Sequence, residues 1–172
     1  SIADFSSPAI EWSCALLMFL SAINTLLILR LAHGDVHSFT VNSEFKTYLL
    51  FIGMASILLW IKMSLSGGEW EYAGIRLALF HALSFLTTTG YLATDISLWP
   101  AFNQMLLFVL MFIGACSGST AGGVKIFRFL VIFKTGAREI YQFLRPRAVL
   151  SIKVNGANID EFVLRTVLGF IC

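Results

Sequence analysis

Four long apolar runs dominate the chain, and their polar interruptions are unevenly placed. The first, Pro8 to Ala32 (PAIEWSCALLMFLSAINTLLILRLA), carries Glu11 and Arg30 near its ends and Asn24 in its inner half. At about 1.5 Å per residue it is long enough to cross a hydrocarbon core roughly 30 Å thick, with Glu11 and Arg30 within reach of the interfaces. The second, Phe45 to Leu65, reads as another crossing, and Lys62 near its end can extend to the interface. The third, Glu71 to Leu86 (EYAGIRLALFHALSFL), is shorter and contains Arg76 and His81. That pattern predicts a helix that dips into the membrane and turns back, with Glu69 and Glu71 at its N-terminal end, where negative charge is favourable. The fourth, Pro100 to Phe133, is too long for one simple crossing and is interrupted by GACSGSTAGG (Gly114–Gly123). Pro100 suits the first turn of its helix.

Composition agrees with a chain immersed in lipid. The sequence is 58% hydrophobic and 13% charged, with mean hydropathy +0.82. Soluble domains are nearer 45–50% apolar and about 25% charged. The expected fold class is therefore an all-α, polytopic membrane protein. Net charge is only +2, but its distribution is informative: seven of the twelve Lys and Arg fall between Lys125 and Lys153. The positive-inside rule puts that end in the cytoplasm. Working backwards, the loop around Glu69 and Glu71 lies outside, and the loop from Gly34 to Glu44 lies inside. This order works only if the third run enters and leaves on the outer side.

Beyond Thr135 the chain is polar and compatible with helix as far as Arg147. AVLSIKV (Ala148–Val154) alternates like a short strand, NGAN (Asn155–Asn158) signals a turn, and a new apolar run opens at Ile159. The chain begins with Ser1, shows no signal-peptide pattern, and stops inside an apolar run, so it reads as a piece of something longer. Cys14, Cys116 and Cys172 are odd in number and lack metal-ligand spacing, and are read as small buried hydrophobes.

FLTTTGYLAT (Phe85–Thr94) places three threonines and a glycine at the end of the third run. Backbone that reverses at membrane depth must be buried in protein or line a watery path. Carbonyls lining such a path can replace the hydration shell of a monovalent cation, as in the TVGYG filter of potassium channels. Thr88-Thr89-Gly90-Tyr91 is similar to that string, with Thr for Val and no second glycine. Gly90 allows backbone angles that a side chain forbids, Thr88 offers carbonyl and hydroxyl oxygens, and Tyr91 can brace the strand. The preceding helix would aim its negative end at the cation. Taken alone, the string also fits a surface turn.

In the fourth run, Gly114, Gly118 and Gly122 recur every four residues, as in close helix packing. The alternative is an unwound loop below the filter, favoured by Gly123, Ser117, Ser119 and Thr120, which disfavour helix. Lys125 follows directly, and its charge either extends to the cytoplasmic interface or faces the inner cavity of a pore. Enzyme motifs fail here. The spacing from Gly118 to Lys125 is wrong for a phosphate-binding loop, and Gly114-x-Cys116-x-Gly118 lacks the strand and the His–acid pair of a nucleophile elbow. His33 and His37 read as solvated loop residues. His81, Ser84 and Arg76 read as structural contacts behind the filter. Asp95 either concentrates cations at the outer mouth or caps a loop.

Three stretches, FHALSFLTTTGYLATDISLWP, FIGACSGSTAGGVKIFRFL and FKTGAREIYQFLRPRAVLSIKV, resemble the third repeat of Trk-type potassium-uptake proteins of the Trk/Ktr/HKT superfamily, and the likeness covers essentially the whole chain. It implies that residues 1–33 are the end of a second pore repeat, 34–44 a cytoplasmic loop and 45–134 a complete third repeat. That repeat would comprise a first span at 45–66, pore helix 71–87, filter 88–91 and a second span at 100–134 broken at 114–123. Residues 135–158 would be a basic cytoplasmic linker and 159–172 the start of a fourth repeat. The resemblance also implies one chain of four such repeats around a single pore, assembled as a homodimer with a cytoplasmic nucleotide-binding regulatory subunit. Potassium would be the transported substrate across the inner, cytoplasmic membrane, with Thr88, Thr89, Gly90 and Tyr91 as filter and Gly114, Gly118, Ser119, Thr120, Gly122 and Gly123 in a gating loop. No cofactor, nucleic-acid partner or enzymatic activity is expected. The rival reading is a non-conducting membrane scaffold whose glycines serve packing alone.

Overall fold

The computed structural model describes residues 2, 7–66, 73–144, 153, 154, 157 and 158. Seven helices follow one another among these: α1 (Pro8–Ser21), α2 (Thr25–Ala32), α3 (His37–Val41), α4 (Ser43–Leu65), α5 (Ala73–Leu86), α6 (Ala101–Phe112) and α7 (Ile126–Leu144), with a 3₁₀ turn at Ile96–Leu98. A two-residue hairpin pairs β1 (Lys153–Val154) with β2 (Ala157–Asn158) in antiparallel register. It falls at the end of the alternating AVLSIKV segment, most of which lies outside the described residues, as do Glu69, Glu71 and the apolar run from Ile159.

Helix α4 explains why the fold belongs in lipid. Its buried positions are Glu44, Tyr48, Ile52, Ala55, Leu59 and Met63, a single seam at spacings of three and four. The opposite faces are equally apolar yet open: Leu50 is 61% and Ile57 56% exposed. A helix apolar all round wants an apolar surrounding, and α4 is the one described helix long and apolar enough to cross a membrane unaided. Its seam packs chiefly against α5, and also against α6 and α7. Between lipid-immersed helices there is little hydrophobic drive, so close approach matters more. Ala55, Ala78 and Ala82 are buried at the contacts. Polar ties add direction: Asn103 Nδ2 donates to the Leu59 carbonyl at 3.2 Å, and the Tyr48 hydroxyl donates to the Phe19 carbonyl at 3.3 Å.

One expectation about helix continuity is corrected. The first apolar run is not one helix: α1 and α2 meet at 100° across Ala22–Asn24. Asn24 is the local cause. It is a strong helix-capping residue, and its side chain accepts the Leu26 N–H at 2.9 Å, starting α2 afresh. Farther along, α7 runs through the polar stretch after Thr135 that was expected to be compatible with helix, as far as Leu144. Gly136 does not stop it, and the Thr135 hydroxyl is absorbed by the Val131 carbonyl one turn back, at 2.7 Å.

Glu11 also departs from expectation. It does not extend to an interface but is buried, and its Oε2 lies 2.9 Å from Arg76 Nε on α5. The two atoms form no aligned hydrogen bond, so the contact is a charge pairing that ties α1 to α5.

Candidate functional site

The chain leaving α5 at Leu86 turns and comes back beside it. The last carbonyls of a helix lack partners within it, and here the turn supplies them. The Thr87 N–H donates to Leu83, the Thr88 N–H to Phe85, and the N–H groups of Thr89 and Gly90 both donate to Ser84, at 2.8 to 3.3 Å. Ser84 also donates its hydroxyl to the Tyr91 carbonyl at 2.7 Å. One turn earlier, His81 Nδ1 bonds the Leu77 carbonyl, so Nε2 is the acceptor for the Ala93 N–H at 3.4 Å. Its ring meets Trp99 edge-on at 4.7 Å. His81 and Ser84 thus hold the returning strand from behind, and both are buried.

The consequence is an asymmetry. Four successive N–H groups point back at α5, while the carbonyls of Thr88, Thr89 and Gly90 accept no hydrogen bond from any described residue. Residues 88–91 are exposed, whereas Thr87 is buried. Thr88 has φ +56° and Gly90 φ +77°, with Thr89 between them not in the left-handed region. A β-branched residue at positive φ is a genuine outlier, and such strain persists where the surroundings over-determine it. At Gly90 the requirement is conformational and not spatial, because an added Cβ would meet nothing within 4 Å. The Tyr91 ring is half exposed, and the strand is braced through its carbonyl.

Residues 113–125 form the second part of the site, a loop between α6 and α7. Its neck is a parallel bridge between Ile113 and Val124. The Gly114 N–H donates to Val124 at 2.8 Å, and the Val124 N–H donates to Phe112 at 2.9 Å. The two limbs approach so closely that a Cβ on Gly114 would stand 2.3 Å from the Gly122 carbonyl oxygen, and one on Gly123 2.9 Å from the Gly114 nitrogen. No helix covers this stretch, so the helix-packing reading of Gly114, Gly118 and Gly122 fails.

The loop rests on the break between α1 and α2. The Cys116 N–H donates to Ala22 at 3.2 Å, the Thr120 hydroxyl to Ser21 at 3.3 Å, and the Thr25 hydroxyl to Gly118 at 2.9 Å. Carbonyls freed by the break are thereby satisfied by the loop, which is why both interruptions persist in an apolar setting. The Gly122 N–H then reaches the turn itself, donating to Thr88 Oγ1 at 2.8 Å. Lys125 folds over its own loop: its ammonium donates to the Ser119 carbonyl at 3.1 Å, the Ser119 hydroxyl at 3.3 Å and the Ala121 carbonyl. The charge is thus engaged by the loop that precedes it.

The peripheral candidates separate cleanly. Asp95 Oδ1 accepts the Ser97 N–H at 2.9 Å and its hydroxyl at 2.7 Å, capping the 3₁₀ turn. The Ser97 hydroxyl, then the Ser97 amide, hold its carboxyl below the usual range. Asp35 takes the Ser38 hydroxyl and amide in the same manner, while His33 bonds the Leu29 carbonyl. No group of three potential metal ligands occurs among the described residues. Glu44, assigned from sequence to the edge of a cytoplasmic loop, is buried against the 113–125 loop, a placement that no local pattern announces.

Residues 72–172 match the TrkH family, described as cation transport proteins. The chain is 33% identical over 171 residues to the Trk system potassium uptake protein TrkH of Halomonas elongata, across 99% of this chain and 36% of that protein. It is 34% identical over 175 residues to the protein of the same name from Escherichia coli K12, with the same coverage. Among solved structures, the potassium transporter TrkH from Vibrio parahaemolyticus superposes with a TM-score of 0.89 at 33% identity, over 99% of this chain and 37% of that one. The chain thus spans about 36% of the length of the curated relatives it matches, and it belongs to the TrkH family of cation transport proteins.

Proposed function

We propose that this segment is one sector of a potassium-uptake pathway across the cytoplasmic membrane, in which the protein crosses the membrane several times. Residues Thr88–Tyr91 supply one strand of a selectivity filter, and residues 114–123 supply a loop that closes the path on its cytoplasmic side. One observation carries this reading: the N–H groups of Thr87 to Gly90 are all engaged by α5, while the carbonyls of Thr88 to Gly90 accept no hydrogen bond from any described residue. Oxygen atoms so placed can stand in for the water around an alkali ion. Potassium is the cargo, partial dehydration is the only chemistry, and no bond is made or broken. The C-terminal end of α5 adds negative potential toward the same region.

A single strand does not enclose an ion. The remaining strands come from further repeats of the same protein, as the length of its relatives allows. Two such proteins form a dimer, and a cytoplasmic nucleotide-binding subunit regulates it, docking on the basic region beginning at Lys134. Ion flux into vesicles carrying the intact protein tests the assignment. Gly90→Ser is expected to abolish the preference for potassium over sodium. Equal flux and equal preference in parent and variant would reject the filter, and leave the glycines a packing role in a non-conducting scaffold.

A further inference from the structure

Glu44 lies in the first turn of α4, two residues after the capping Asn42. An acid at that position ordinarily stands in water and complements the positive end of the helix. Glu44 is instead 4% exposed. Its Oε2 accepts the N–H of Ser117, 73 residues away, at 3.3 Å. One buried carboxyl group therefore touches the rising limb of the 113–125 loop, and that loop in turn rests on the break between α1 and α2. A buried carboxyl group needs donors around it, and the Ser117 N–H is the one the loop supplies. The falling limb is held by the opposite charge, Lys125, through the carbonyls of Ser119 and Ala121.

We infer that Glu44 is a positioning residue for the loop: its carboxylate fixes Ser117, and with it residues 114–123, in the closed arrangement, without touching the ion. This rests on the reading of residues 114–123 as the element that closes the path. Removing the acceptor strands the Ser117 N–H. The loop then shifts toward arrangements in which Cys116, 1% exposed here, meets water.

The test uses the intact transporter in vesicles with Cys116 as its only cysteine. It records potassium leak without activation and the rate at which a small water-soluble methanethiosulfonate labels Cys116. Glu44→Ala and Glu44→Met, neither of which offers an acceptor to Ser117, are both expected to raise leak and labelling roughly tenfold, the shift that follows loss of one hydrogen bond to a carboxyl group. Glu44→Gln keeps a carbonyl acceptor and is expected to stay near the parent. If Glu44→Ala does not assemble, Glu44→Met, which keeps the length and bulk of the side chain, decides alone. A parent that passes no potassium would count against the functional reading, with the labelling rates still reporting on Glu44. Leak and labelling at parental rates in the folded variants would overturn the inference.

Discussion

The amide of Gly122 donates to the side-chain oxygen of Thr88 at 2.8 Å, so the loop between α6 and α7 is hydrogen-bonded directly to the second residue of the turn that follows α5. The contact is close on both sides: a Cβ on Gly122 would stand 3.1 Å from that same oxygen. Two interruptions of helix, 34 residues apart, thus form one unit, in which the strained Thr88 is a shared part.

Thr88→Val keeps the shape of the side chain and removes the acceptor. An ordinary hydrogen bond contributes about 0.5–1.5 kcal/mol, so the loop should leave the turn several-fold more often. Resting potassium flux in the intact protein is expected to rise by that factor, with Thr88→Ser near the parent. Flux that follows side-chain bulk in place of the hydroxyl would reject the coupling.

The neck of the loop tolerates no side chain. Gly114→Ala and Gly123→Ala must push backbone apart, and overpacking of this kind costs about 1–3 kcal/mol. Lower thermal midpoints in detergent are expected for both. Gly136→Ala, inside α7 with open space around it, is the control and is expected to stabilise by up to ~1 kcal/mol through helix propensity.

Glu11 and Arg76 hold α1 against α5, with side chains 10% and 28% exposed. Arg76→Met leaves a buried carboxylate without its partner, a loss of up to about 3 kcal/mol allowing for the partial exposure of Arg76. Glu11→Gln combined with Arg76→Met should recover much of that loss in the same unfolding assay. Additive destabilisation in the double variant would show that the charges do not interact.

Asp95 sets a pH expectation. Its carboxyl is held below the ordinary value by Ser97, so its capping contribution is fully present above the unfolded carboxylate pKa near 3.9 and is lost as pH falls through the depressed folded value. Between pH 5 and 8 the outer loop should therefore show no Asp95-dependent change, which hydrogen exchange at Ser97 in parent and Asp95→Ala would reveal.

Much of this arrangement was legible from residue types. Three threonines and a glycine after a short apolar helix announce a reversal of backbone, and four glycines within GACSGSTAGG announce a break in the next helix, because both depend on local conformational preference. The break at Ala22–Asn24 was not legible. Asn24 stands out as polar, but the carbonyls it frees are satisfied by Cys116 and Thr120, far along the chain. Glu11 and Glu44 were misplaced for a related reason. Each charge lies near the end of an apolar run, where solvent is the default, and each is held by a partner that sequence spacing does not display. Helix beyond Thr135 was legible, because the stretch is polar and compatible with helix, and the Thr135 hydroxyl is absorbed within it.

The central claim concerns the carbonyls of Thr88, Thr89 and Gly90, which accept no hydrogen bond from any described residue, and it is most directly tested by anomalous diffraction from crystals of the intact protein grown with rubidium or thallous ion. The account predicts an anomalous peak within coordinating distance of these oxygens, lost in Gly90→Ser. Anomalous peaks elsewhere along a conducting path, with none beside these three residues, would contradict it.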